Sequence, residues 1–178
     1  MRRVLYMMGI LTDSDVEWLA VNGKQTLVKA STVLIREGTP IDCIYIVLDG
    51  ELSVVREQTG NTIATLVCGE KVGEISFVDS RPPSTSVIAP RDSWLLAIDR
   101  AGLKQKLAED PPFASRFYQA VGAFLADRLR ASVGQLGYGA RKESTDADEL
   151  DDTWIENISF AASRFDQLLK RLGVGTTA

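Results

Sequence analysis

The stretch Gly73-Glu74-Ile75-Ser76-Phe77-Val78-Asp79-Ser80-Arg81-Pro82-Pro83-Ser84-Thr85-Ser86-Val87 combines residue types and spacings that could do chemistry. A glycine beside an acid lets a ligand approach bare backbone amides while the carboxylate accepts from its hydroxyls. Amides at the start of a short helix favour an anion. Two prolines stiffen the far side, and Ser84 and Thr85 add hydroxyl donors suited to a phosphate. Together these describe a cradle for a small polar ligand, with a phosphorylated sugar as the natural occupant. The same residues also describe a glycine turn and a proline-stiffened loop between two strands, so the surroundings must decide.

The rest of the composition narrows the chemistry. The chain has 178 residues and not one histidine, which removes histidine-based acid–base catalysis, histidine-dependent triads and the usual zinc and iron sites. No catalytic residue, cofactor or metal is therefore expected, and the chain is a poor sequence for an enzyme. Twenty basic against 24 acidic residues give a net charge of -4, which argues against a general nucleic-acid surface. The two cysteines, Cys43 and Cys68, lie in apolar strand-like runs and read as free thiols of a reducing compartment. Met1-Arg2-Arg3 precedes only a short apolar patch, unlike a signal peptide, and no run is long enough to span a bilayer. A cytoplasmic protein with no membrane partner is expected.

The elements that must hold the cradle are read in order. Thr12-Asp13-Ser14-Asp15 is an N-cap cluster for a short helix from Asp13 to Val21, ended by Asn22-Gly23. Between Gln25 and Ile98 short β-rich runs alternate with glycine turns, giving seven or eight closely spaced strands. That texture predicts a mainly β fold, an eight-stranded jelly-roll barrel over 25–98, with flanking helices. The cradle is the one insertion in it without strand character. Asp99 caps a short helix, and Asp110-Pro111-Pro112 opens a longer one whose apolar residues recur at three- and four-residue steps. The barrel-centred unit is thus expected over 1–136, with helices over 99–136. A polar, acidic linker follows over 137–152, and a second amphipathic helix over 153–173. The apolar face of that last helix must bury against the first helix, the barrel or a second subunit.

A helix, a jelly roll with one cassette inserted late, and then two helices: this order resembles the cyclic nucleotide-binding domain family. The resemblance is carried by Val33-Leu34-Ile35-Arg36-Glu37-Gly38 with Ile44-Tyr45-Ile46-Val47-Leu48-Asp49-Gly50-Glu51, by Val72-Gly73-Glu74-Ile75-Ser76-Phe77, and by the helical run from Asp99 through Leu103, Leu107, Asp110 and Pro111. It implies a stand-alone domain without a helix-turn-helix. Carried over by position, Glu74 would accept from a ribose 2′-hydroxyl. The amides around Gly73, Glu74, Ile75 and Ser76 would line the sugar-phosphate, with Ser84 and Thr85 near the phosphate and base. The family has an arginine after a proline to pair the cyclic phosphate, whereas here Pro82 is followed by Pro83 and the nearest guanidinium is Arg81. Three readings follow: Arg81 substitutes, the cassette binds weakly through amides and hydroxyls, or the barrel holds another ligand or none.

The function implied is a non-catalytic sensor for cAMP or cGMP that signals through its C-terminal helices to a protein partner or a homodimer. Stripes of Phe117, Val121, Leu125 and Leu129, and of Ile155, Ile158, Phe165 and Leu169, are the candidate interfaces. The alternative is a ligand-free barrel acting as a structural or interaction module. A cupin-like enzyme is opposed by the lack of histidine, and direct DNA binding by the lack of a basic recognition helix.

Overall fold

The computed structural model describes residues 8–135 and 152–174. Helix α1 (Asp13–Asn22) opens with a capping box: the Thr12 side chain accepts from the Asp15 amide, and Asp15 Oδ2 accepts from the Thr12 amide at 2.8 Å. Strands β1 (Gly23–Val28), β2 (Val33–Ile35), β3 (Cys43–Asp49), β4 (Glu51–Val55), β5 (Thr62–Val67) and β6 (Lys71–Val72) follow. The cassette helix α2 (Glu74–Asp79) comes next, then β7 (Ser86–Ile88) and β8 (Ser93–Asp99). Helices α3 (Arg100–Glu109), α4 (Pro111–Gln135) and α5 (Asp152–Arg171) complete the described chain.

The described strands number eight, and the expected closed barrel is corrected in one respect. They form two four-stranded antiparallel sheets, ordered β1-β8-β3-β6 and β2-β7-β4-β5, and no ladder joins the two. Strand β6 has only two residues, paired as Tyr45↔Val72 and Ile46↔Lys71, too short to carry hydrogen bonding round to the other sheet. The sheets face each other across Ile35, Val47, Leu52, Leu66, Val87 and Leu95. The first sheet is also covered on its outer face, where Ile44, Ile46, Leu96 and Ile98 meet the helices. Successive side chains point to opposite faces of a strand, which is why Leu95 and Leu96 are both fully buried, each in a different core. At the β3–β4 turn Gly50 has φ 94, and a Cβ there would lie 2.3 Å from Ser93 Oγ, so only glycine fits.

The helices are fastened by charged pairs as well as by apolar contact. Arg116 of α4 grips Asp15 of α1 with a fork, Nε to Oδ2 at 2.6 Å and Nη2 to Oδ1 at 2.8 Å. Burial works against ionising Asp15, but the bonds from Arg116 and Thr12 prevail and hold its carboxyl below the ordinary value. Helix α5 docks on α1, burying Ala161 and Leu168. The expected linker over 137–152 lies outside the described residues except for Asp152, where α5 begins.

Candidate functional site

The chain leaves β6 through Gly73, whose φ of 96 starts α2 in the left-handed region. A Cβ at Gly73 would lie 3.0 Å from Ile41 Cδ1 and 3.1 Å from the Cys43 carbonyl, so the turn is both conformationally and sterically reserved for glycine. One residue on, Glu74 is 1% exposed. Its Oε1 accepts from Arg128 Nη1 of α4 at 3.1 Å, and among the described residues its Oε2 has no hydrogen-bond partner. Burial pushes the Glu74 carboxyl up, against the pull of Arg128 and Lys71. The carboxylate is thus a buried acceptor with one lone oxygen, the kind of group that a ligand hydroxyl satisfies.

Glu74 lies on the wall of a cavity of about 300 Å³. All seven expected ligand residues, Gly73, Glu74, Ile75, Ser76, Arg81, Ser84 and Thr85, line this one cavity. Ile75 is exposed, while Ser76 is buried with its carbonyl accepting from Arg100 Nη2 at 2.7 Å. Ser80, at φ 59, turns the chain out of α2, and the Arg81 amide donates to Asp79 Oδ1 at 3.0 Å, leaving the Arg81 side chain exposed at the rim. The Pro83 carbonyl accepts from the Gly38 amide at 2.8 Å, which pins the loop to the end of β2. Ser86, by contrast, works within the fold: its Oγ donates to Glu57 Oε1 at 2.7 Å and accepts from the Glu37 amide at 2.8 Å. Ile35, Val54, Val72 and Val87 supply an apolar wall.

Arg128 is the lining residue that reading the cassette alone overlooks. Its signal was present. At 100° per residue, Val121, Phe124 and Arg128 share the core-facing side of α4 with Phe117, and a cation on an apolar face has to find a carboxylate. The Arg128 guanidinium and the Lys71 ammonium each lie 4.5 Å from the Phe124 ring centroid. Lys71 is 4% exposed. Burial lowers its pKa to about 8, Glu74 working to raise it and Arg128 to lower it further. Phe77 of the cassette helix also meets Phe117 edge-on at 5.9 Å. The cassette helix is therefore joined to α4 by the Phe77–Phe117 ring contact and the Glu74–Arg128 ion pair, and β6 by Lys71 over the Phe124 ring.

The candidate interface residues separate. Phe117 and Val121 are buried inside this chain, Leu125 is half-buried and Leu129 is 65% exposed. Phe165 and Leu169 are half-buried against the helix-side core, and the side chains of Ile155 and Ile158 lie outside the described residues. Cys43 and Cys68 are free thiols, both pushed up by burial. No helix among the described residues is long and apolar enough to cross a membrane.

The family model for the cyclic nucleotide-binding domain matches residues 25–110, which contain the whole cassette and both sheets except the first two residues of β1. A lysophospholipase nte1 of Aspergillus fumigatus is 28% identical over 128 residues, covering 70% of this chain and 8% of that protein. A cAMP-dependent protein kinase regulatory subunit of Blastocladiella emersonii is 30% identical over 96 residues, 52% of this chain and 24% of that protein. The chain thus matches only a small part of either relative. The crystal structure of a cyclic nucleotide-binding domain from Methylobacillus flagellatus KT has the same fold, with a TM-score of 0.68 at 24% identity over 80% of this chain and 85% of that one. Residues 25–110 of this chain belong to the cyclic nucleotide-binding domain family.

Proposed function

We propose that the chain is a non-catalytic regulatory sensor that binds a cyclic nucleotide, cAMP or cGMP, between the cassette and α4. The observation that carries this reading is Glu74: a carboxylate 1% exposed, with one oxygen lacking a partner among the described residues, on the wall of a cavity of about 300 Å³. A ribose hydroxyl satisfies that oxygen. The amides at the start of α2 face the phosphate, and Arg81 at the rim replaces the arginine that Pro83 excludes. The apolar wall of Ile35, Val54 and Val87 stacks the base without reading its edge. Occupancy changes what Glu74 offers Arg128, and so reaches α4. The match to cAMP-dependent kinase regulatory subunits supports a regulatory role of this kind, and the free thiols fit a cytoplasmic setting.

Calorimetric titration with cAMP and cGMP tests the proposal. Binding is expected for at least one nucleotide, and Glu74→Gln should weaken it by about ten- to a hundredfold, the equivalent of one charge-assisted hydrogen bond of about 1.5–3 kcal/mol. Arg81→Ala should cost about tenfold and flatten the salt dependence of binding. No heat with either nucleotide at millimolar concentration would overturn the reading. The second reading, a ligand-free scaffold, would then stand, favoured by Pro83, which supplies no cation and whose carbonyl is already engaged by Gly38.

A further inference from the structure

Arg100 lies outside the cavity, at the first position of α3. Its amide donates to the Asp42 carbonyl at 2.8 Å, fastening the β8–α3 joint to the loop before β3. Its guanidinium reaches further, with Nη1 donating to the Ile41 carbonyl at 2.8 Å and Nη2 to the Ser76 carbonyl at 2.7 Å. The guanidinium carbon also lies 5.7 Å from the Phe77 ring centroid. Ile41 is the residue against which a Cβ at Gly73 would collide, so Arg100 binds the backbone of the wall behind the start of α2 and a carbonyl of α2 itself.

A helix of six residues does not hold itself, and Ser76 is among its last four carbonyls, which lack helical donors. A planar guanidinium can serve two carbonyls at once with strong charge-assisted bonds, which an ammonium on a flexible stem does not reproduce. Among the described residues the Ser76 carbonyl therefore depends on a side chain that belongs to α3. Helix α3 runs directly into α4 at Asp110, and α4 returns to the cassette through Phe117 and Arg128. Any displacement of α2 has to break the Arg100 fork or carry the start of α3 with it.

We propose that Arg100 is a positioning residue that sets the cassette helix in the geometry presenting Glu74 and thereby raises affinity for the ligand. The positioning stands on the contacts alone; its effect on affinity rests on the proposed ligand function.

The test uses the full chain with Arg100→Met, and Arg100→Lys as the milder variant should the first fail to fold. Hydrogen exchange without ligand is read first. The amides of residues 74–79 should exchange about tenfold faster or more than in the wild type, while those of β1, β3 and β8 keep their protection. Wild-type exchange rates in α2 of either folded variant would overturn the proposal. Cyclic nucleotide is then titrated beside Leu107→Ala, which lowers stability from within α3 without touching the cassette. Arg100 variants should bind about tenfold more weakly than this control. Equal affinity would reduce Arg100 to a purely structural role and overturn its part in ligand binding. If the wild type binds no nucleotide, the functional reading fails, and the exchange result still decides the positioning.

Discussion

Lys71 shows how much of this site is decided by single side chains. The residue is 4% exposed, with its ammonium against the Phe124 ring and near both Glu74 and Arg128. The folded protein holds its pKa at about 8 against an ordinary 10.5, chiefly through burial. The unfolded chain therefore binds that proton more tightly. The stability that Lys71 contributes is present above pH 10.5 and is lost as pH falls through about 8. The half-buried Cys43 and Cys68 thiols pull stability down over the same range, so the comparison is between the two proteins: from pH 8 to 10 the stability of the wild type should rise relative to that of Lys71→Met. At pH 7 the variant should be more stable by up to about 3 kcal/mol, less about 1 kcal/mol for the lost ring contact. A less stable variant with the same pH slope would show that pairing of the ammonium outweighs its burial. Glu74 was legible in the sequence because its glycine neighbour marks a backbone turn next to a carboxylate. Lys71 was not, since its burial comes from α4, which packs over it from more than 50 residues away and leaves no trace in the local pattern.

At the scale of elements, strands with a clear alternation or a glycine turn at each end were legible, and so were the capped helices. Strand β6 was not, because two residues carry no period. Its shortness also explains why a strand count suggested a closed barrel where the pairing stays open. Helix α5 was legible as an amphipathic helix, but the identity of its partner was not, because that choice rests on long side chains. Arg164 pairs with Asp13 and donates to the Met8 carbonyl at 3.1 Å, and Arg171 pairs with Glu17 at 2.7 Å. Two arginines seven apart, two helical turns, meet two acids four apart on α1. Asp13 and Glu17 are 74% and 57% exposed, so the pairs themselves contribute little and fade with salt. The carbonyl bonds and the buried Ala161 and Leu168 should carry more. Arg164→Met is expected to cost about 1–2 kcal/mol and to lower the exchange protection of α5 while the sheets keep theirs. Unchanged protection of α5 would assign its docking to the apolar contacts alone.

At the scale of the whole molecule, α4 carries an apolar surface that is exposed among the described residues. The side facing the core carries Phe117, Val121, Phe124 and Arg128; beside it Tyr118, Leu129 and Val133 are 49%, 65% and 39% exposed, with Leu125 half-buried. Tyr118, Gly122, Leu125 and Leu129 follow steps of four, three and four, the spacing of a helix–helix seam, and fall within a stripe about 60° wide. A two-fold axis along that stripe would cover it with its own copy, a self-complementary contact. We therefore expect a homodimer through α4, with Leu125 and Leu129 at its seam and Phe117 and Val121 behind it in the core. The wild type should sediment at twice the monomer mass at micromolar concentration, and Leu129→Glu should sediment as a monomer. Because Leu129 is exposed in the single chain, the variant should keep its fold; a wild type that is already monomeric would reject the dimer. The neighbouring residue, Arg128, reaches Glu74 on the cavity wall, so the seam and the ligand site share one helical turn. If ligand strengthens the dimer by some factor, dimerisation must strengthen ligand binding by the same factor. Leu129→Glu should then weaken cyclic nucleotide binding without touching the cavity. An affinity equal to that of the dimeric wild type would mean that α4 holds the two sites side by side without coupling them.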